Sequence, residues 1–141
     1  NICDDSGLLA VIIRADFQAD GIVFATPSEL PQQLGYMKRP IGYEIDPHVH
    51  VLKRYEVEYS SETLFIRKGK VRIDFYSDKK QYLSSEILMT GDVVLLCRGG
   101  HGFEMLEESE MVEVKQGPYE SDNDKIRFKG VEKNKIILSF P

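Results

Sequence analysis

From residue 62 onward, short hydrophobic runs alternate with polar turns at regular spacing. The clearest run is KVRIDFY, in which Val71, Ile73 and Phe75 alternate with charged residues. Successive side chains of an extended strand point to opposite faces, so this alternation predicts a strand with one apolar face. Further strands are predicted by TLFIRKG, EILMT, VVLLC, FEML and MVEVKQ, with polar turns at SDKK, Gly91-Asp92, RGGHG and EES. Many short strands joined by polar turns predict an antiparallel β-sandwich or barrel.

The first half of the chain has shorter and less regular runs. Residues 8–14 and 21–25 are apolar and rich in β-branched residues, which predicts two strands. TPSE at 26–29 has a capping residue, a proline and an acid, and predicts one short helical turn. Strand-like stretches follow at 34–39 and 41–45. We expect a second half built of regular strands and a first half with more irregular connections.

Length and composition limit the class of protein. A chain of 141 residues with 42% hydrophobic and 29% charged residues is typical of one globular domain, so we expect a single domain over residues 1–141. The net charge of -5 argues against a nucleic-acid partner or an anionic membrane surface. No apolar run approaches the roughly 18 residues that cross a bilayer. The two cysteines, Cys3 and Cys97, lie far apart and form no disulfide framework, which favours a cytoplasmic location.

The histidines form the most informative pattern in the chain. His48 and His50 are two residues apart, so both imidazoles point to the same face if the segment is extended. Glu62 opens a predicted strand, and His101 lies in the turn RGGHG. Imidazoles and a carboxylate are a plausible ligand set for a divalent transition metal, whether Zn, Fe, Mn, Ni or Co.

The spacing of these residues resembles the two conserved motifs of the cupin family. Gly42, five residues and then His48-Val49-His50 resemble the start of the first motif, and Glu62, six residues and then Gly69 resemble its end. Eleven residues separate His50 from Glu62, where the family has three or four. We interpret residues 51–61 as a longer connection between two strands.

The second motif departs further from the family pattern. Gly91, Cys97 in place of the usual proline, Gly99 and His101 resemble it, with one residue fewer before the histidine. The resemblance covers residues 40–116.

The resemblance implies a fold and a metal site. The fold is an all-β, antiparallel double-stranded β-helix, the cupin jelly-roll barrel, with minor helical turns. The implied metal ligands are His48, His50, Glu62 and His101. Glu56 or Glu58 is the alternative source of the carboxylate, because both lie in the longer connection.

Three charged residues are candidates for catalytic roles. Glu113 and Lys115 share one face of MVEVKQ, with Val112 and Val114 on the other. If the charged face points inward they form a buried pair at the site, and if it points outward they form an exposed ion pair worth little. Arg54 either belongs to a surface charge ladder or supplies a guanidinium group for a substrate carboxylate or phosphate.

The stretch around Arg54 also predicts a strand. Residues 54–59, RYEVEY, alternate between charged and other side chains. Tyr36 and Tyr119 are further candidates for the rim of a pocket. Cys97 ends an apolar run, so we expect it to pack as a small hydrophobic residue and not to act as a nucleophile.

The function that these residues favour is that of a metal-binding cupin acting on a small polar molecule that is sugar-like or carries a carboxylate. Isomerase or epimerase chemistry is expected, because a metal can polarise a carbonyl oxygen and stabilise an enediolate. The alternatives are an iron-type cupin dioxygenase, a small-molecule-binding cupin without catalysis, and a metal-free epimerase with a histidine base and a tyrosine acid.

A homodimer is expected on two grounds. Members of the cupin family often pair through their sheets. The apolar strand at residues 8–14 would otherwise risk being an exposed edge.

Overall fold

The computed structural model describes residues 1–118, 120 and 124–139, and the chain is all-β in this part. The described residues form ten strands, namely β1 (Ile2–Asp4), β2 (Gly7–Ile13), β3 (Gly21–Phe24), β4 (Gly35–Lys38), β5 (Glu62–Lys68), β6 (Lys70–Tyr76), β7 (Tyr82–Met89), β8 (Val93–Leu96), β9 (Gly100–Met105) and β10 (Glu110–Lys115). A 3-10 turn at Lys133–Lys135 is the one helical element among the described residues. The predicted antiparallel all-β class is therefore confirmed.

The chain divides into two compact units. The first contains residues 1–15 and 59–141, and the second contains residues 16–58. The single domain over residues 1–141 stays a prediction.

In the first unit the described strands form two antiparallel sheets. One has five strands in the order β1-β2-β8-β5-β10, and the other has three in the order β7-β6-β9. They share one core, to which the five-stranded sheet gives Ala10, Leu64, Ile66, Val94 and Leu96 and the three-stranded sheet gives Val71, Ile73, Phe75 and Leu88. The described strands do not close into a barrel, and the jelly-roll topology stays a prediction.

The alternation in β6 explains how the three-stranded sheet is built. Val71, Ile73 and Phe75 are buried in the core, as their period of two predicts. On the other face Arg72 donates two hydrogen bonds to Asp74, at 2.8 and 3.0 Å, and a third to Glu104. Most of this polar face is therefore covered, and its charges are compensated by one another.

The C-terminal segment, residues 124–139, lies along the three-stranded sheet. The Val131 amide donates to the Tyr76 hydroxyl at 2.9 Å, and the Ile137 amide donates to the Tyr82 hydroxyl at 2.8 Å. Phe128 packs edge-on against Tyr76 with ring centroids 5.0 Å apart. Ser85 forms an isolated bridge with Leu138. These contacts fix the tail against the sheet.

Gly69 joins β5 to β6 in a turn that requires a glycine. Its φ of 90° lies in the left-handed region, and an added Cβ would overlap the carbonyl oxygen of Glu108. The glycine that ends the first motif therefore has a steric reason for its position.

The second unit contains a hairpin of β3 and β4. Phe17 packs edge-on against Tyr36 with ring centroids 5.1 Å apart. The predicted helical turn at residues 26–29 is a single turn, in which the Leu30 amide donates to the Pro27 carbonyl at 3.3 Å. The strands predicted at 41–45 and 54–59 are wrong, because no regular strand lies between β4 and β5. Alternating side chains give an extended segment two different faces, but a strand also needs a neighbouring backbone segment with which to form hydrogen bonds.

The position of β2 removes one reason for expecting a homodimer. β2 pairs with β1 on one side and with β8 on the other, and Leu9, Ala10 and Val11 are buried. The strand at residues 8–14 is therefore not an exposed edge. The edges of the five-stranded sheet are β1 and β10.

The described residues contain no helix long and apolar enough to cross a membrane.

Both cysteines are free: Cys3 is exposed, whereas Cys97 is buried and its pKa is raised by that burial. Cys97 thus packs as the sequence predicts.

Asp92 is the residue of the first unit whose loss we expect to be most costly. Its carboxylate is 3% exposed and accepts hydrogen bonds from the amides of Ala15 (2.8 Å) and Met89 (2.9 Å) and from Arg14 (3.1 Å). Asp92→Ala leaves these donors without their acceptor and is expected to lower the free energy of unfolding by about 2 to 4 kcal/mol. Urea denaturation measures this loss. Asp5→Ala at an exposed position is the control and should change stability by less than about 0.5 kcal/mol. Equal effects of the two substitutions would contradict the prediction.

Candidate acid–base site

Glu62 is a charged residue on the apolar face of β5. Leu64 and Ile66 lie on the same face of the strand and pack in the core, and Glu62 itself is only 7% exposed. In the five-stranded sheet its neighbours are Lys115 on β10 and Leu96 on β8. A carboxylate in such a place needs compensating partners, because burial disfavours its charged form.

His101 provides the nearest compensation, from the opposite sheet. It lies on β9, opposite Phe75 of β6, and not in the turn that the sequence predicted. Its ring centroid is 5.5 Å from that of Phe103, which packs against the core. Its Nε2 is 3.2 Å from Oε2 of Glu62. The pair therefore spans the two sheets at one end of the core, and about a quarter of the His101 side chain, 26%, remains exposed.

Two lysines surround the other oxygen of Glu62. Lys115 Nζ lies 3.9 Å from Oε1 and Lys125 Nζ lies 3.8 Å from the same atom. Lys115 Nζ is also 3.7 Å from Oε1 of Glu113. These separations exceed a direct hydrogen bond but leave strong electrostatic attraction. We call Glu62, His101, Lys115 and Lys125 the Glu62 cluster.

The cluster determines the ionisation of Glu62. The hydrogen bond from His101 lowers the pKa of the Glu62 carboxyl, and the nearby positive charges lower it further, against the opposing effect of burial. Glu62 is therefore ionised at neutral pH. An ionised carboxylate can only accept hydrogen bonds, so a hydrogen bond across this 3.2 Å contact requires the hydrogen on Nε2 of His101. In the neutral imidazole, Nδ1 is then left as the basic nitrogen.

The structure settles which way the faces of β10 point. Lys115 and Glu113 lie on the face of Glu62 and Leu64, with which they pair in register, whereas Val112 and Val114 lie on the outer face and are exposed. The charged face of β10 therefore lies toward Glu62, but Glu113 and Lys115 do not form the buried pair of the inward alternative, because Glu113 is exposed. Lys115 is largely covered and Glu113 is more exposed.

The remaining predicted site residues lie outside the Glu62 cluster. His48 and His50 belong to the second unit, where both are exposed, with ring centroids 5.4 Å apart and His48 Nδ1 2.8 Å from the Asp46 carbonyl oxygen. Arg54, Glu56 and Glu58 are exposed in the same unit.

Two further predictions concern Tyr119 and the metal site. Tyr119 lies outside the described residues. Within the described part of the chain no group of three or more His, Cys, Asp or Glu side chains is arranged to hold a metal ion, and the four-residue metal site stays a prediction.

Lys125 is a member of the cluster that the sequence did not reveal. It follows a polar stretch that reads as a loop, and nothing in its spacing links it to Glu62. It reaches Glu62 because the C-terminal segment returns to the sandwich, a tertiary effect without a local signal.

No protein-family model matches the chain, and neither a curated protein nor a solved structure matches it. The assignment of a function therefore depends on the residues of this chain and their geometry.

Glu62→Gln tests the electrostatics of the cluster. Because the pKa of Glu62 is lowered in the folded state, its charge stabilises the fold above the ordinary pKa range of glutamate, and this contribution is lost as the pH falls through the folded pKa. We expect the substitution to cost about 1 kcal/mol at neutral pH, and the difference from the wild type to shrink in acid.

Urea denaturation at neutral and acidic pH measures this difference. Glu108→Gln removes an exposed partner of Lys68 and is the control, since surface ion pairs contribute little. A Glu62→Gln effect that is independent of pH would contradict the assignment.

Proposed function

We propose that this protein is a small cupin-type enzyme that moves a proton on a small polar molecule, in an isomerase or epimerase reaction at the Glu62 cluster. The observation that carries the proposal is the ionised carboxylate of Glu62, held against His101 at the end of an apolar core. A buried carboxylate paired with a partly buried imidazole costs desolvation free energy that the attraction between the two groups does not reliably recover. It is also the arrangement that orients a histidine for acid–base catalysis.

The proposed chemistry follows from the tautomer of His101. Glu62 accepts the hydrogen on Nε2, and Nδ1 takes a proton from a carbon next to a carbonyl group. The electron pair of the broken C–H bond forms the C=C bond of an enediolate, and the carbonyl π electrons move to its oxygen. The negative charge of Glu62 stabilises the imidazolium that forms. Return of the proton to the neighbouring carbon, with transfer of the hydroxyl proton to the former carbonyl oxygen, gives the isomer. Delivery of a solvent proton to the opposite face of the same carbon gives the epimer.

The lysines of the cluster favour an anionic substrate. Lys115 and Lys125 bring two positive charges to one side of Glu62, and their distances of 3.9 and 3.8 Å leave both ammonium groups outside direct hydrogen-bond range of it. Positive groups in such a position stabilise a developing enediolate oxygen. They also fit a carboxylate on the substrate, in keeping with a sugar-like or carboxylate-bearing molecule.

A divalent transition metal fits part of this site. Two ligand atoms bound about 2.1 Å from one ion lie about 3.0 to 3.4 Å apart, depending on whether the geometry is octahedral or tetrahedral. Glu62 Oε2 and His101 Nε2 are 3.2 Å apart, within that range. In this metal-dependent form the ion would take the place of the hydrogen on Nε2 of His101. Glu62 and His101 would then be two of the protein ligands, with His48 and His50 as the other predicted pair, and His101 would not act as the base. A metal bound there would polarise the carbonyl oxygen of the substrate.

Solvent deuterium exchange tests the proton transfer. The purified protein is incubated in deuterated water with a panel of keto sugars, sugar phosphates and 2-oxo acids, and mass spectrometry detects deuterium incorporated at carbon. We expect incorporation into at least one compound, with a rate that falls at least about a hundredfold in His101→Gln, because a general base contributes that much or more.

The matched control is Glu104→Gln. Glu104 lies on the same strand as His101 but contacts Arg72 and Lys133 on the opposite face. It should leave the exchange rate unchanged. Binding of a panel compound without any exchange would replace the proposal with a ligand-binding protein. Exchange that persists in His101→Gln would remove His101 as the base.

Elemental analysis of the purified protein separates the metal-dependent and metal-free forms of the proposal. Near one equivalent of a divalent metal is expected, with the content lost in both His48→Ala and His101→Ala. Retention of the metal in His48→Ala would contradict the four-residue site. Deuterium exchange without any metal, after supplementation with several divalent ions, would leave His101 acting as a metal-free base.

A further inference from the structure

We propose that residues 124–130, which we call the strap, make the Glu62 site selective for anionic substrates. In this role Lys125 contacts the anion of the substrate, and Phe128 is the residue that positions Lys125. The role rests on the proton transfer proposed for the Glu62 cluster, and it identifies the residues that select the substrate of that reaction.

Phe128 anchors the strap to the three-stranded sheet. It is partly buried, whereas the other residues of the strap are exposed. Its ring packs edge-on against Tyr76 of β6, which is only 4% exposed, with ring centroids 5.0 Å apart. An edge-to-face aromatic pair contributes free energy beyond the area that it buries. The strap is therefore attached to a buried residue of the sheet through one side chain.

The position of the Phe128 ring depends on Gly100, the residue before His101. Gly100 pairs in register with Tyr76, and the ring lies against both residues. A Cβ atom added at Gly100 would be 2.9 Å from Cζ of Phe128 and 3.2 Å from Cε1, so any larger residue there would displace the ring. Glycine permits this close approach. The anchor of the strap thus lies beside the residue that precedes the candidate base.

The anchor limits where Lys125 can lie. Three residues of extended chain reach at most about 11 Å, so the backbone of Lys125 stays within that distance of Phe128. Just beyond the strap, the Val131 amide donates to the Tyr76 hydroxyl at 2.9 Å and fixes the chain to the same residue. The ammonium group of Lys125 lies 3.8 Å from Oε1 of Glu62. Holding the backbone in place before the substrate arrives lowers the entropy lost on binding.

Lys125 is the more accessible of the two lysines in the Glu62 cluster. Its side chain is 47% exposed, compared with 16% for Lys115. Its Nζ is beyond direct hydrogen-bond range of Glu62, so it can turn toward an anion from solvent without losing a hydrogen bond to that carboxylate. An ammonium group binds a carboxylate or phosphate as a point charge with three rotatable donors. We therefore expect a sugar phosphate or a 2-oxo acid as the substrate, and not a neutral keto sugar.

Binding of inorganic phosphate tests the strap without any catalysis. Phosphate is titrated into the full chain, and its Kd is measured from the shifts of backbone amide signals in NMR spectra. Lys125→Gln should weaken binding about tenfold, because it removes a charge-assisted hydrogen bond. Lys129→Gln is the matched control, since Lys129 is an exposed lysine of the same strap, and it should change Kd by less than about twofold. A wild type that binds no phosphate, or equal effects of the two substitutions, would overturn the proposal.

A double-mutant cycle separates a positioning role of Phe128 from a general loss of structure. Phe128→Ala alone should weaken phosphate binding about threefold to tenfold, because Lys125 must then be ordered on binding. In the Lys125→Gln background it should cause no further loss. Ile126→Ala removes a side chain of the strap that is 80% exposed, and this matched control should leave Kd unchanged. Equal losses from Phe128→Ala in both backgrounds would overturn the positioning role. Circular dichroism confirms that each variant is folded.

The deuterium-exchange assay connects the strap to the reaction. Lys125→Gln should raise KM for a sugar phosphate or a 2-oxo acid about tenfold and leave kcat within about twofold, since the anion is bound equally before and during proton transfer. A fall in kcat without a change in KM would place Lys125 on the enediolate and overturn its role in substrate selection. Exchange into no compound of the panel would overturn the proposed reaction, whereas phosphate binding would still decide whether the strap binds anions.

Discussion

The ionised carboxylate of Glu62 at the end of an apolar core is the constraint on which the candidate site depends. A charge in that position is tolerated only if other groups compensate it. The compensation comes from three directions: His101 from the facing sheet, Lys115 from the neighbouring strand, and Lys125 from the C-terminal segment. A common core holds both sheets in place, so the position of the Glu62–His101 pair is fixed by the packing beside it.

Compensated charges recur in the first unit. Arg14 joins Glu86 and Asp92 near the β7–β8 turn, Arg72 joins Asp74 and Glu104 on the outer face of the three-stranded sheet, and Arg98 joins Asp4 and Asp78. Each group ties together segments that are distant in sequence. Among the described residues, no buried side-chain nitrogen or oxygen atom lacks a hydrogen-bond partner. The Glu62 cluster differs because its lysines stand slightly too far from the carboxylate to bond it directly.

The two faces of β10 have different surroundings. The inner face supplies Lys115 to the Glu62 cluster, and the outer face exposes two valines next to Phe65. This arrangement reverses the usual rule that the apolar face of a strand is the buried one. The reversal has a local cause, because Glu62 lies directly opposite Lys115 in the register of β5 and β10. As a consequence, Val112 and Val114 are left exposed.

The sequence by itself determined the all-β class, the strands after residue 62, and the burial of Val71, Ile73 and Phe75. These features depend on a period of two along one strand, which is a local property. The pattern also singled out Glu62, His101, Glu113 and Lys115. Only the tertiary structure decided that β2 is an inner strand, that residues 41–45 and 54–59 form no strand, and that the charged face of β10 points inward. It also brought Lys125 to Glu62. Each of these outcomes depends on which backbone segment or charged group lies next to the residue in the folded chain. The spacing of hydrophobic residues along the sequence does not identify such neighbours.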